Sequence, residues 1–254
     1  MITSILERQN YIIRRSVNLS KRSHILAANI DHVYLLVTVA APQTQTGFID
    51  RFLVTAEAYH IPITILFNKI DLCNEEQMAR LERLLKLYSD VGYRCKTICA
   101  KRKDSVAFLK DEIKGKKVMF GGHSGVGKST LVNSLDENLH LKTGEISEQH
   151  LSGQHTTTFA EMFPLQSGGY IIDTPGIRAF GLIDFDKTEL SHYFLEMREV
   201  LADCKFNNCQ HISEPHCAVK TAVDEGEIDP ERYINYLNIM ESDEEEVYRR
   251  DIYK

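Results

Sequence analysis

The run GHSGVGKS, from Gly122 to Ser129 and directly after the apolar KKVMFG, leaves this chain few folds to choose from. It fits G-x-x-x-x-G-K-[ST] between a predicted strand over 116–122 and a helix expected from about Lys128, the setting that marks a phosphate-cradling loop. Its glycines let backbone N–H groups curl around phosphates with no Cβ in the way. Gly122, His123, Ser124, Gly125, Val126, Gly127, Lys128, Ser129 and Thr130 are then nucleotide contacts. Lys128 is expected to reach the β- and γ-phosphates as a catalytic charge, and the Ser129 hydroxyl to ligate Mg²⁺. The competing reading is a chance glycine-rich turn, which the strand before it and the helix after it disfavour.

The rest of the chain supplies the matching scaffold. VYLLVTVA (33–40) and IPITILF (61–67) are continuous apolar runs, as strands buried on both faces of a parallel sheet require. Phe48, Phe52, Leu53, Ala56 and Tyr59 recur at helical spacing between them, and Met78, Leu81, Leu84, Leu85 and Tyr88 do so after them. A further strand is expected near Cys95–Ala100 and another over GGYIIDTPG (168–176). Strands and helices alternating in this way predict an α/β domain with a mostly parallel sheet and helices on both faces. Residues 1–17 hold short β-branched runs that read as strands, and the polar NLSKRSHILAANIDH after them reads as a link. Beyond residue 187 helices surround a cysteine cluster. TELSHYFLEMREVL reads as one of them, and Pro230 opens another carrying Tyr233, Leu237 and Met240. Asp243–Glu246 lies near the end of that helix, where negative charge opposes the dipole.

The phosphate loop alone does not choose a base. Asn68-Lys69-Ile70-Asp71 ends the second buried strand, at the edge where ligands sit in open α/β sheets. A carboxylate at Asp71 can accept from both N1–H and the exocyclic amine of guanine, and adenine offers no such donor pair. Cys99-Ala100-Lys101 follows a strand end, so the Ala100 N–H is a weaker candidate for the guanine O6. Asp173-Thr-Pro-Gly176 closes a strand, with Asp173 placed to hold Mg²⁺ through water and the Gly176 N–H to sense the γ-phosphate. Between these motifs lies the polar Gly153-Gln-His155-Thr156-Thr157-Thr158. One of its three threonines, Thr157 the candidate, could complete the Mg²⁺ shell only when the γ-phosphate is present, making 153–158 a switch. The residue after Gly176 is Ile177, where Ras-type proteins carry a water-positioning Gln. His155 is the nearest polar replacement, the plainer alternative being that it packs the loop. Base recognition precedes the phosphate loop in this chain, the reverse of the ordinary order. Joining old termini and opening the chain elsewhere keeps the same sheet, because termini lie near each other at the surface.

Cysteine usage points to a second site. Cys73, Cys95 and Cys99 are scattered, whereas Cys204-x4-Cys209-x-His211-x5-Cys217 gathers three thiols and an imidazole. Four such ligands at short spacing suit a structural, tetrahedral Zn²⁺. His216 is an alternative to Cys217. Hydrophobic residues at 43% and charged residues at 26% are those of a globular protein. No apolar stretch approaches the ~20 residues of a membrane span, and arginines interrupt the apolar N-terminus, so a cytoplasmic location is expected. The net charge of −6 is unevenly spread. Arg8, Arg14, Arg15, Lys21 and Arg22 face only Glu7 in residues 1–30, while 223–254 carry eleven acids against four bases. A basic end can bind nucleic acid despite a negative total, because counterion release depends on local phosphate contacts.

Taken together, N-K-x-D before GHSGVGKS, then GQHTTT, DTPG and C-x4-C-x-H-x5-C, the chain resembles the circularly permuted RsgA (YjeQ) family of GTPases dependent on the small ribosomal subunit. The likeness extends through AANIDHV, EPHCAVKTAV and RYINYL. It implies a partial OB-fold segment and linker over 1–30, a permuted GTPase domain over 31–186 and a helical zinc-binding domain over 187–254. It also implies hydrolysis of GTP to GDP and phosphate, Mg²⁺ and one Zn²⁺ as cofactors, and a monomer bound to the small subunit and its rRNA, with no membrane partner. Hydrolysis would then promote release late in subunit maturation, and His155 could instead contact rRNA. Three departures stand out. Thirty residues are too few for a five-stranded OB-fold, the family's GRHTTT reads GQHTTT, and its EPGC reads Glu214-Pro215-His216-Cys217.

Overall fold

The computed structural model describes residues 3–15, 23–139, 161–173 and 186–242. Tyr11–Arg15 (β1) and Ser23–Ala28 (β2) form an antiparallel pair, with an irregularity between Ile12 and Ile13. The link expected over 18–32 therefore contains a strand. SHILAA is locally ambiguous, and pairing with the β-branched YII of β1 decides its state, as cross-strand contacts do for short polar strands.

The main sheet has six strands, and its centre is His32–Val37 (β3), buried from Val33 onward. Helix α1 (Thr46–Ala58) leads to Ile63–Phe67 (β4), which lies parallel to β3. Helix α2 (Glu75–Asp90) begins at a capping box, Asn74 and Gln77 each accepting from the other's backbone N–H at 3.0 and 2.9 Å. It leads to Arg94–Thr97 (β5), shorter than the 95–100 expected, and then to α3 (Lys103–Ile113). Lys117–Gly121 (β6) returns to the other side of β3 and runs into α4 (Lys128–Leu135). Glu161–Pro164 (β7) pairs antiparallel with Tyr170–Asp173 (β8), which lies parallel to β6. The order is β5-β4-β3-β6-β8-β7.

Side chains alternate across β3, so its neighbours build two cores. Val33, Leu35 and Val37 pack with Phe52 and Leu53 of α1 and Leu81, Leu84 and Tyr88 of α2. Tyr34 and Leu36 pack with Val106 and Leu109 of α3 and Leu131 of α4. Fully burying each such side chain contributes about 1.5–3 kcal/mol, which explains why the alternating faces hold the register.

The expected single helix over 188–201 is two pieces: a 3-10 helix at Lys187–Tyr193 and α5 (Leu195–Val200). Phe194 separates them with an extended backbone (φ −94°, ψ 108°). The kink turns its ring into a third core, edge-on to Tyr236 at 5.5 Å. Ala218–Asp224 (α6) and Pro230–Glu241 (α7) complete that core, which also takes in Val54 of α1. Asp243–Glu246 lies outside the described residues.

One buried polar cluster fastens this C-terminal part to the sheet. Arg232 of α7, 1% exposed, donates to Asp50 Oδ1 of α1 at 2.6 Å and to both Glu196 oxygens at 2.6 and 2.8 Å. Asp50 also accepts from Asn235 Nδ2 at 2.6 Å and from the Tyr88 hydroxyl at 2.9 Å. Burial opposes the Arg232 charge, but Asp50 and Glu196 outweigh it and hold its pKa well above the usual range. Buried charges paired and hydrogen-bonded in this way are tolerated, whereas unpaired ones are not.

Candidate nucleotide site and metal centre

β6 ends at buried Gly121, and the loop that starts at buried Gly122 needs its glycines. Gly122 has φ 132°, and a Cβ there would strike the Leu36 carbonyl of β3. Gly127 has φ 104° at the start of α4, where a Cβ would strike the Asn68 amide. The loop thus lies close against β3 on one side and the base motif on the other. Lys128 Nζ folds back on it, donating to the carbonyls of Gly122 at 2.6 Å and His123 at 2.7 Å. Ser129 and Thr130 stand in the first turn of α4 with Lys128, all half-buried. The backbone N–H groups of such a turn have no intrahelical partners, which favours an anion there.

Asn68 is the hub. It continues β4, its N–H donating to the Val37 carbonyl at 2.8 Å, and its side chain is 2% exposed. Its Nδ2 donates to the Val126 carbonyl in the phosphate loop at 2.8 Å, and its Oδ1 accepts from Ala100 N at 2.9 Å. One amide thereby joins the base motif, the phosphate loop and the 99–101 loop. The Ala100 carbonyl accepts in turn from Ser134 Oγ of α4 at 2.5 Å. Ala100, the weakest of the sequence candidates, is among the most firmly tethered.

Lys69 takes a left-handed conformation (φ 61°) and donates to the Ala41 carbonyl at 2.8 Å. Burial lowers its pKa, and Lys101 lowers it further while Asp71 acts against them. Ile70 and Asp71 form a 3-10 turn in which the Asp71 carboxylate is exposed. Burial and that carboxylate keep Cys99 protonated, its pKa above the usual thiol range.

Asp173 ends β8, next to β6, the strand that feeds the phosphate loop. Gly153, His155, Thr156, Thr157, Thr158 and Gly176 lie outside the described residues. No local signal marks Phe48 as a site residue, yet its ring lies against His123, tilted by 33° with centroids 3.6 Å apart. Phe48 had stood out only as one of a helical row of apolar side chains.

The second cluster assembles as its spacing suggested. Cys204, Cys209, His211 and Cys217 bring their ligand atoms within 4.8 Å of one another. His211 Nδ1 faces Cys217 Sγ at 3.3 Å and Cys204 Sγ at 3.7 Å. Burial and the neighbouring Cys217 push the Cys209 thiol up to about 12 against a backbone hydrogen bond from His211, so a cation is what would make that thiol give up its proton. The loop is held from below and within. The Tyr233 hydroxyl donates to the His211 carbonyl at 2.6 Å and that of Tyr236 to the Gln210 carbonyl at 2.7 Å. Glu214 accepts from the N–H groups of Gln210, Ile212 and Ser213, and these outweigh its partial burial and keep its carboxyl below the usual range. The donor set fits a metal ion, and exposed His216 is not part of it.

A mostly parallel sheet with a phosphate loop after β6 and N-K-x-D after β4, in that reversed chain order, defines a circularly permuted P-loop GTPase. The RsgA GTPase family model matches residues 5–183, more than half the chain, and this protein belongs to that family. It is 55% identical over 252 residues to "Small ribosomal subunit biogenesis GTPase RsgA" of Flavobacterium johnsoniae, covering 99% of this chain and 77% of that one. The protein of the same name in Bacteroides fragilis is 53% identical over 248 residues, covering 98% and 80%. Among solved structures, YjeQ from Thermotoga maritima superposes with a TM-score of 0.76 at 34% identity, covering 94% of this chain and 76% of that one. YloQ, described as a circularly permuted GTPase, gives 0.73 at 31%, covering 97% and 75%.

Proposed function

We propose that this GTPase is a switch in late maturation of the small ribosomal subunit, which it binds as GTP complex and leaves after hydrolysis to GDP and phosphate. The observation that carries the reading is the Asn68 amide, which couples a guanine-type motif to a phosphate loop in one rigid unit. The relatives are named small ribosomal subunit biogenesis GTPases, which supports the subunit as partner, and activation by it belongs to the proposal. Asp71 would select guanine, with the Ala100 N–H at the base edge. Gly122–Thr130 would hold the phosphates, with Lys128 neutralising the charge that develops on them. Ser129, Asp173 and Thr157 would hold Mg²⁺, which supplies charge neutralisation between the β- and γ-phosphates. Gly153, Thr156, Thr158 and Gly176 would sense the γ-phosphate, and His155 would orient water.

Cys204, Cys209, His211 and Cys217 would hold one structural Zn²⁺, a reading supported by four closed N and S ligands. We assign residues 1–30 to a partial OB-fold segment and linker, 31–186 to the permuted GTPase and 187–254 to the zinc-binding module. Among the described residues no helix is long and apolar enough to cross a membrane. A monomer acting in the cytoplasm on subunit rRNA fits this reading.

Phosphate release over many turnovers, with and without purified small subunits, tests the activity. Stimulation by the subunit is expected. Cosedimentation with the subunit in a non-hydrolysable GTP analogue, and none with GDP, tests the switch. Equal cosedimentation in both states would overturn it.

A further inference from the structure

Helix α1 touches two places that no nucleotide motif connects. On one side it reaches the phosphate loop: the Phe48 ring lies tilted against that of His123, and the Phe52 ring fills the space a Cβ on Gly121 would need. Pro42, just ahead of the helix, lies against Gly125, at 3.4 Å from where a Cβ would stand. On the other side α1 meets α7 of the metal-cluster module. Thr46 Oγ1 donates to Glu231 at 2.6 Å, Asp50 takes Arg232 and Asn235, and Gly47 lies so near Asn235 that a Cβ would sit 3.3 Å from its Oδ1. Phe48 thus falls between Thr46 and Asp50, in the very turn that α7 holds.

We propose that Phe48 is a positioning residue for the phosphate loop, and that Arg232 of the metal-cluster module sets its place by anchoring Asp50. The inference rests on reading residues 122–130 as the phosphate loop. His123 is the link, because its ring carries Phe48 while its carbonyl holds Lys128 Nζ at 2.7 Å. A ring contact at this distance fixes a side chain in both tilt and height. An aliphatic replacement keeps apolar contact but not the ring-to-ring interaction that pairs of aromatic rings contribute. Arg232 cannot shift without taking the cation away from buried Asp50, so α7 and the first turns of α1 are held together. Contiguous packed contacts of this kind can carry coupling between sites, and non-additive variants are what demonstrate it.

The test uses the whole chain, three single variants, Phe48→Leu, Phe48→Tyr and Arg232→Lys, and the double variant of Phe48→Leu with Arg232→Lys, with a fluorescent GDP analogue. Wild-type binding establishes the phosphate-loop reading first, and no binding there would defeat that reading rather than this one. Phe48→Leu should weaken GDP about tenfold, the scale of a lost aromatic pair, mainly through faster dissociation. Its preference for GDP over the inosine analogue should not change, since the base motif is untouched. Phe48→Tyr, which keeps the ring, should restore affinity. Arg232→Lys keeps the charge but loses the two-pronged grip, and should weaken GDP in the wild-type background yet add little to Phe48→Leu. Wild-type affinity in a folded Phe48→Leu overturns the positioning role, as does a lowered melting temperature with unchanged affinity. Fully additive losses in the double variant overturn the link to Arg232.

Discussion

The Nδ2 of Asn68 donates to the carbonyl of Val126 at 2.8 Å, joining two loops that lie more than fifty residues apart in the chain. The same amide accepts from Ala100 N. Asn68→Ala therefore strands two buried backbone groups at once, each costing about 1–3 kcal/mol. A lower melting temperature and at least tenfold weaker GDP binding are expected. Asn68→Asp should be worse than alanine, because a carboxylate would face the Val126 carbonyl. Calorimetry and GDP titration of both variants check the ranking.

Base preference should follow Asp71. Asn there can donate to the second carbonyl of xanthine where Asp accepts from the guanine amine. Asp71→Asn is expected to move preference toward xanthosine diphosphate. Equal loss of affinity for both nucleotides would count against the assignment.

Metal analysis of the pure protein should return one zinc per chain. Chelation is expected to open residues about 200–220, making Cys204, Cys209 and Cys217 alkylatable, while GDP binding survives at reduced affinity. Ligand closure couples metal binding to local folding. Zinc-free protein with the same three thiols protected would reject the site.

Replacing Arg232 by Met leaves Asp50 and Glu196 without their cation. Breaking a buried pair from one side costs about 3–5 kcal/mol, so urea unfolding should shift to a markedly lower midpoint. A midpoint within error of wild type would mean that the cluster contributes nothing net.

Hydrolysis without the subunit should be slow, near or below the ~10⁻⁴ s⁻¹ of unassisted Ras, because Ile177 cannot position water. His155→Ala should keep GTP affinity and subunit binding yet lose stimulated turnover by roughly 10²-fold, the scale of a placed general base. Unchanged stimulated phosphate release would reject that role, and lost subunit binding would favour a contact role.

What the sequence disclosed depended on how local each signal was. The phosphate loop, N-K-x-D and the cysteine cluster are short, and their chemistry is written in neighbouring residues. Buried β3 and β4 were visible because both faces are apolar. Helix α3 was not legible, since only Val106, Leu109 and Ile113 among eleven residues are buried and five of the other eight are charged. Edge strand β7 has no buried face to mark it. The break at Phe194 could not be read locally, because its cause is Tyr236, some forty residues on. The same holds for the ties that assemble the site. Asn68 to Val126, Phe48 to His123 and Asp50 to Arg232 are products of the sheet order and leave no periodic trace.

That order has a geometric consequence. The base loop ends β4 and the phosphate loop ends β6, and β3 alone stands between them. Adjacent strands lie about 4.8 Å apart, so the two loops start nearly 10 Å from each other. The sheet thus sets the spacing of the two loop origins, and the Asn68 side chain closes the distance to Val126. On neighbouring strands the same two motifs would be too close for any nucleoside to fit lengthwise. Between them, the Leu36 carbonyl of β3 forbids a side chain at Gly122.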